Sequence, residues 1–136
     1  MTVGTAGRGM RTAGAVVSVL TGLGFGLPCA WGIVHLSRTR QVWTFLGYPT
    51  YGGGPFERLG IETTVPLMAA FAAVCAAEVA LAPGLRRGTR GGRTANWLLL
   101  PVEFVFWTGF ALPAGPLLGV ARTLLVTAGR RSGSMA

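Results

Sequence analysis

From Trp97 to Gly129 the chain reads WLLLPVEFVFWTGFALPAGPLLGVARTLLVTAG, 33 residues with only two charges, Glu103 and Arg122. As one straight helix such a run would be about 50 Å long, against a bilayer hydrocarbon core of about 30 Å. Near its middle lies Pro113-Ala114-Gly115-Pro116, which stops one helix and starts another. The run is therefore expected to fold back on itself as two short spans, 95–112 and 115–130.

The rest of the chain repeats the pattern of apolar runs separated by short polar segments. Ala13 to Leu36 reads as a first span, 13–36, kinked at Pro28. It is longer than the apolar region of a signal peptide, and no A-x-A site closes it. Gly22 and Gly26 form a GxxxG, the spacing that lets a second helix approach closely. Ile61 to Pro83 reads as a second span, 61–83, with alanine stripes Ala69/Ala73/Ala77 and Ala72/Ala76/Ala80 expected to favour tight helix contact. Between these spans lies SRTRQVWTFLGYPTYGGGPFERLGI, whose glycines and prolines forbid a long helix. Its aromatics suit a membrane surface, and a short helix is expected from Pro55 with Glu57 in its first turn. Residues 84–94 read as a basic loop, and residues 1–12 and 131–136 as short disordered tails.

Charge sets the direction. Only 12% of residues are charged, and the net charge of +8 comes from twelve arginines, with no lysine and no aspartate. In a soluble protein that balance would suggest nucleic acid, but here the arginines lie between apolar runs and no groove-reading motif accompanies them. Four spans with the N-terminus inside put Arg8, Arg11, Arg86, Arg87, Arg90, Arg93, Arg130 and Arg131 in the cytoplasm and Arg38, Arg40 and Arg58 outside, eight against three. Three spans would give six against five. The positive-inside rule thus favours an all-α membrane protein of four transmembrane helices, N-in and C-in, a four-helix bundle with a Gly/Pro/aromatic outer loop between helices 1 and 2. The expected location is a bacterial inner membrane.

Candidate chemistry is sparse. Counted from the cytoplasmic ends of their spans, Glu103 and Arg122 stand roughly 12 and 13 Å deep, level with each other on neighbouring antiparallel helices. A lone charge at that depth costs at least about 2.5–3.5 kcal/mol, so an ion pair is expected. Glu78 in the second span could join Arg122, reach toward the basic loop, or stay protonated. Glu78, Glu103 and Arg122 form the candidate intramembrane polar cluster, read either as a packing clasp or as a proton or substrate relay. His35 reads as an interfacial histidine. Cys29 and Cys75 fall at different depths, so no disulfide is expected, and neither a metal site, a cofactor site nor a catalytic constellation is visible. In the outer loop Tyr48, Tyr51, Phe56, Glu57 and Arg58 are the candidate contact for another membrane protein, a lid over the mouth of the bundle, or a connector lying on the surface. Arg86, Arg87, Arg90 and Arg93 are expected to attract anionic lipid on the cytoplasmic face, at about 1 kcal/mol each.

The run from Trp43 to Ala82, together with EFVFWTGFALPAGPLLGVAR (Glu103 to Arg122), resembles small uncharacterised multi-pass membrane proteins of actinobacteria. That resemblance implies no activity. The architecture is also similar to other small four-span proteins such as the DoxX-like group, from which no residue role carries over. Two functions compete: a non-enzymatic accessory or interaction subunit of a membrane complex, and a small oligomeric transporter or lipid-binding unit using Glu78, Glu103 and Arg122. A lipid-directed enzyme ranks third. The expected partners are the anionic bilayer and a membrane protein or a second copy of the chain, not nucleic acid.

Overall fold

The computed structural model describes residues 2–134 and shows a mostly helical chain. Helix α1 spans Thr2–Thr39, the short antiparallel strands β1 and β2 span Thr44–Phe45 and Tyr48–Pro49, and the one-turn helix α2 spans Pro55–Arg58. Three long helices follow: α3, Val65–Arg87; α4, Arg90–Gly109; and α5, Ala114–Ser134. Two helices, Gly4–Thr39 and Val65–Arg87, are long and apolar enough to cross a membrane. The long helices form a ring of neighbours: α1 packs on α3 and α5, and α4 packs on the other sides of α3 and α5.

The helices run further than the apolar patterns suggest. Residues 2–12, expected as a disordered tail, are the first turns of α1. They are held because α5 lies alongside, so close that a Cβ on Gly129 would sit 2.8 Å from the Gly7 carbonyl and 2.9 Å from Arg11 Cγ. The helix also runs unbroken through Pro28. At the other end α5 continues to Ser134, past the expected boundary at residue 131.

The expected basic loop of residues 84–94 shrinks to Gly88 and Thr89. Gly88 takes the left-handed conformation at φ 71°, closing α3, and Thr89 at once caps α4 by accepting from the Gly92 N–H at 3.0 Å. Stop and start signals on adjacent residues leave no room for a loop. At the other end of α3, residues 61–64 have no regular secondary structure, and Thr64, itself extended, accepts from the Leu67 N–H at 3.3 Å. The helix therefore begins four residues later than the apolar run.

The fold-back between α4 and α5 occupies Phe110 to Pro113, where the Leu112 N–H donates to the Trp107 carbonyl at 2.7 Å. Pro116 falls in the first turn of α5, where its missing N–H would have had no helical partner. Two apolar clusters fill the interior. One joins Cys29, Tyr51, Met68, Phe71, Cys75, Trp107 and Phe110; the other joins Ala15, Leu81, Ala82, Leu85 and Val126.

Candidate functional site

Between those clusters lie three ionisable side chains that water does not reach. Met68, Phe71, Cys75, Glu78, Ala82 and Leu85 recur at three- and four-residue steps and form the buried face of α3. On α4 the buried face runs through Asn96, Glu103 and Trp107. On α5 it includes Arg122, Thr123 and Val126. These faces bring Glu78, Glu103 and Arg122 together.

Arg122 grips Glu103 with both arms of its guanidinium: Nη2 donates to Oε2 at 2.6 Å and Nη1 to Oε1 at 2.9 Å. Nη1 also reaches Glu78 Oε1 at 3.3 Å. The Glu103 contact is the planar two-bond match that suits a guanidinium; the Glu78 contact is single and longer. All three residues are at most 1% exposed. Arg122 Nε is buried without a hydrogen-bond partner. Two carboxylates therefore answer one guanidinium, and one of them is held by a single long bond.

The fourth helix closes this arrangement through backbone. Ser18 Oγ donates to the Glu78 carbonyl at 2.6 Å. A Cβ on Gly22 would lie 2.6 Å from the Cys75 carbonyl and 3.2 Å from Glu78 Cβ, and one on Gly26 would lie 3.0 Å from Cys75 Cβ. The GxxxG is thus the contact between α1 and α3. The alanine stripes contribute less: Ala69, Ala73, Ala76 and Ala80 face outward, while half-buried Ala72 packs against the core. Small residues at that spacing mark a face on which a helix can pack closely, but bulky Met68 and Phe71 claim the interior.

Among the sequence candidates, the outer-loop residues divide. Tyr51 is buried, donating from its hydroxyl to the Phe25 carbonyl at 2.8 Å and meeting Phe110 edge-on with ring centroids 5.5 Å apart. Its burial pushes the phenol above the usual tyrosine range. Half-buried Phe56 packs edge-on against Phe106 and Phe110. Both belong to the core rather than to an outward contact, because the glycines on either side let the loop bend inward. Glu57 Oε2 accepts from the Gly53 N–H at 2.7 Å, and its Oε1 accepts from the Thr63 hydroxyl, which also donates to the Tyr51 carbonyl. Glu57 therefore ties the loop to itself, while Arg58 stays exposed. The side chain of Tyr48 lies outside the described residues.

Tyr51→Phe removes one hydroxyl bond and keeps the ring. It is expected to cost about 1 kcal/mol and a small drop in thermal midpoint, whereas Tyr51→Ala is expected to cost about 3–5 kcal/mol because the ring itself is lost. Equal losses for the two variants in thermal unfolding would show that the hydroxyl, not the ring, anchors the loop.

Arg86 and Arg87 occupy the last turn of α3, Arg90 and Arg93 the first turn of α4, and Arg93 Nη1 donates to the Gly88 carbonyl at 2.9 Å. Cys29 and Cys75 are free and buried, with Cys29 Sγ donating to the Met68 carbonyl at 3.2 Å. Three buried polar contributions carry no expectation from sequence: Ser18, Thr21, whose hydroxyl donates to the Val17 carbonyl at 2.7 Å, and the pair in which Asn96 Nδ2 donates to Thr123 Oγ1 at 3.2 Å. A signal for Asn96 does exist, since it stands seven residues before Glu103 and so on the same helix face. Ser18 bonds to backbone, which leaves no mark in the sequence. No protein-family model, no curated protein and no solved structure matches this chain.

Proposed function

We propose that the chain is an integral protein of a bacterial inner membrane with four spans and both termini in the cytoplasm, and that it acts as a non-enzymatic accessory or interaction subunit. The observation that carries this reading is the closure of the Glu78–Glu103–Arg122 cluster. A relay or transport site needs a path for its substrate, and these side chains are at most 1% exposed and bonded to one another. A buried, hydrogen-bonded ion pair of this kind fixes how helices register.

The four-span reading draws support from length and surface. Helices α4 and α5 have 20 and 21 residues, about 30 Å each, the thickness of the hydrocarbon core. Their outward faces carry Leu98, Val105, Leu117 and Leu124. The ends joined by Gly88 and Thr89 hold the arginines, as a cytoplasmic side would. The outward alanine face of α3 offers a partner helix a surface without bulky side chains.

Two measurements test this. A reporter fused to the C-terminus is expected to be active only in its cytoplasmic form; a periplasmic signal would remove the four-span arrangement. Gentle solubilisation from native membranes is expected to yield a complex larger than the 14.1 kDa chain, and Ala76→Trp, on the exposed face of α3, is expected to release the partner while leaving the fold intact. Recovery of a lone monomer from native membrane would count against the accessory role.

A further inference from the structure

The arginine-rich end of α4 and α5 holds a cavity of about 510 Å³, lined among others by Arg90, Arg93, Asn96, Trp97, Thr127 and Arg130. That is the size range of small-ligand sites, roughly 300–1,000 Å³. Three arginines from two helices line it, Arg93 with one arm on the Gly88 carbonyl, and none of the four glutamates answers them: Glu78 and Glu103 are engaged by Arg122, while Glu57 and Glu62 lie at the opposite end, between α1 and α3.

Asn96 also lines this cavity, and it is tied to α5. Asn96 is only 2% exposed, and although its Nδ2 donates to Thr123, its Oδ1 is buried with no partner. That oxygen is shut off from the cavity, so the arginines are what a phosphate diester meets, and they bind its oxygens through paired N–H groups. Exposed Trp97 and Leu98 stand at the cavity wall, where an amphipathic ring and an apolar side chain suit the boundary between headgroup and acyl chain.

We infer that this cavity binds the headgroup of an anionic phospholipid, with the phosphate on Arg90, Arg93 and Arg130. The inference rests on the proposal that this end of the molecule lies at the cytoplasmic membrane surface. It goes beyond attraction of a basic end to an anionic leaflet, because it names one cavity, which Arg86 and Arg87 do not line.

The test uses the full chain purified in detergent, offered equimolar phosphatidylglycerol and phosphatidylcholine, with retained lipid read by native mass spectrometry. Preferential retention of phosphatidylglycerol is expected. Arg90→Gln with Arg130→Gln should weaken it about fivefold for each arginine removed. Arg86→Gln with Arg87→Gln removes the same charge from the same end and should leave it nearly unchanged. Equal weakening by the two pairs would reduce the effect to diffuse attraction and overturn the site. Phosphatidylmethanol, an anionic diester with no hydroxyl, should be retained about as well as phosphatidylglycerol; its loss would overturn the phosphate as the group that the arginines hold. Displacement of the lipid by inorganic phosphate alone would overturn a lipid as the occupant. A chain that stays in solution without detergent would instead undo the membrane reading, a failure separate from all of these.

Discussion

Arg122→Gln is expected to be the most damaging single change at the buried cluster, with a loss of about 3–5 kcal/mol, because it leaves two carboxylates facing each other in a dry interior. Glu103→Gln should follow, since it removes the negative charge and breaks the two-bond match at 2.6 and 2.9 Å, leaving one amide oxygen to accept and turning an amide N–H2 toward the guanidinium, with the single 3.3 Å contact to Glu78 as the remaining carboxylate bond. Glu78→Gln should be mild, below about 1 kcal/mol, because a one-to-one pair with good geometry remains and an amide can still accept from Nη1. The order Arg122, Glu103, Glu78 is the content of the prediction. Denaturant unfolding of the three variants and of Arg122→Gln/Glu103→Gln gives the check. The double variant should be more stable than the sum of the single losses implies, with a coupling of about 1–3 kcal/mol. Additive losses, or Glu78→Gln worse than Glu103→Gln, would mean that the bidentate contact does not carry the cluster.

Part of this cluster was legible in the sequence for a simple reason. A helix advances by a fixed rise, so counting residues from each end of a hairpin gives depth, and depth alone makes Glu103 level with Arg122. The position of Glu78 was open because depth says nothing about which way around a helix a side chain points. That depends on which face of α3 is buried, and Met68, Phe71 and Cys75 decide it together, whereas the alanines suggested a different face. The fold-back near Pro113 was likewise legible, since a run of 33 residues exceeds the bilayer thickness. Helix ends were not. Hydropathy ends where polar residues begin, but backbone hydrogen bonding continues through Arg86 and Arg87 until Gly88 turns left-handed. The inward course of the outer loop was hidden for a related reason. Aromatic residues suit a membrane surface and a protein interior equally well, and only the hydroxyl bond from Tyr51 to Phe25 tells which one this loop chose.

Gly22→Leu is expected to disrupt the structure nearly as severely as loss of Arg122, although it removes no interaction. The first atom of any side chain at that position would lie 2.6 Å from the Cys75 carbonyl and 2.8 Å from Val79 Cγ2. The carbonyl belongs to helical backbone and cannot swing aside, so α1 and α3 must separate. Separation breaks the Ser18–Glu78 backbone bond and opens the roof over the ion cluster to solvent. Overpacking alone costs about 1–3 kcal/mol, and loss of these contacts adds to it, so about 3 kcal/mol or more is expected. Gly24 is the internal control. It lies two residues further along the same helix, it is exposed, and a Cβ there meets nothing within 4 Å. Gly24→Leu adds helix propensity without a clash and should be neutral or stabilise by up to about 1 kcal/mol. Opposite signs for two identical substitutions two residues apart would show that α1 is held by one face, at the spacing of its close-approach glycines. Similar losses for both would mean instead that α1 tolerates no added bulk anywhere, and that its contact with α3 is not what supports the buried charges.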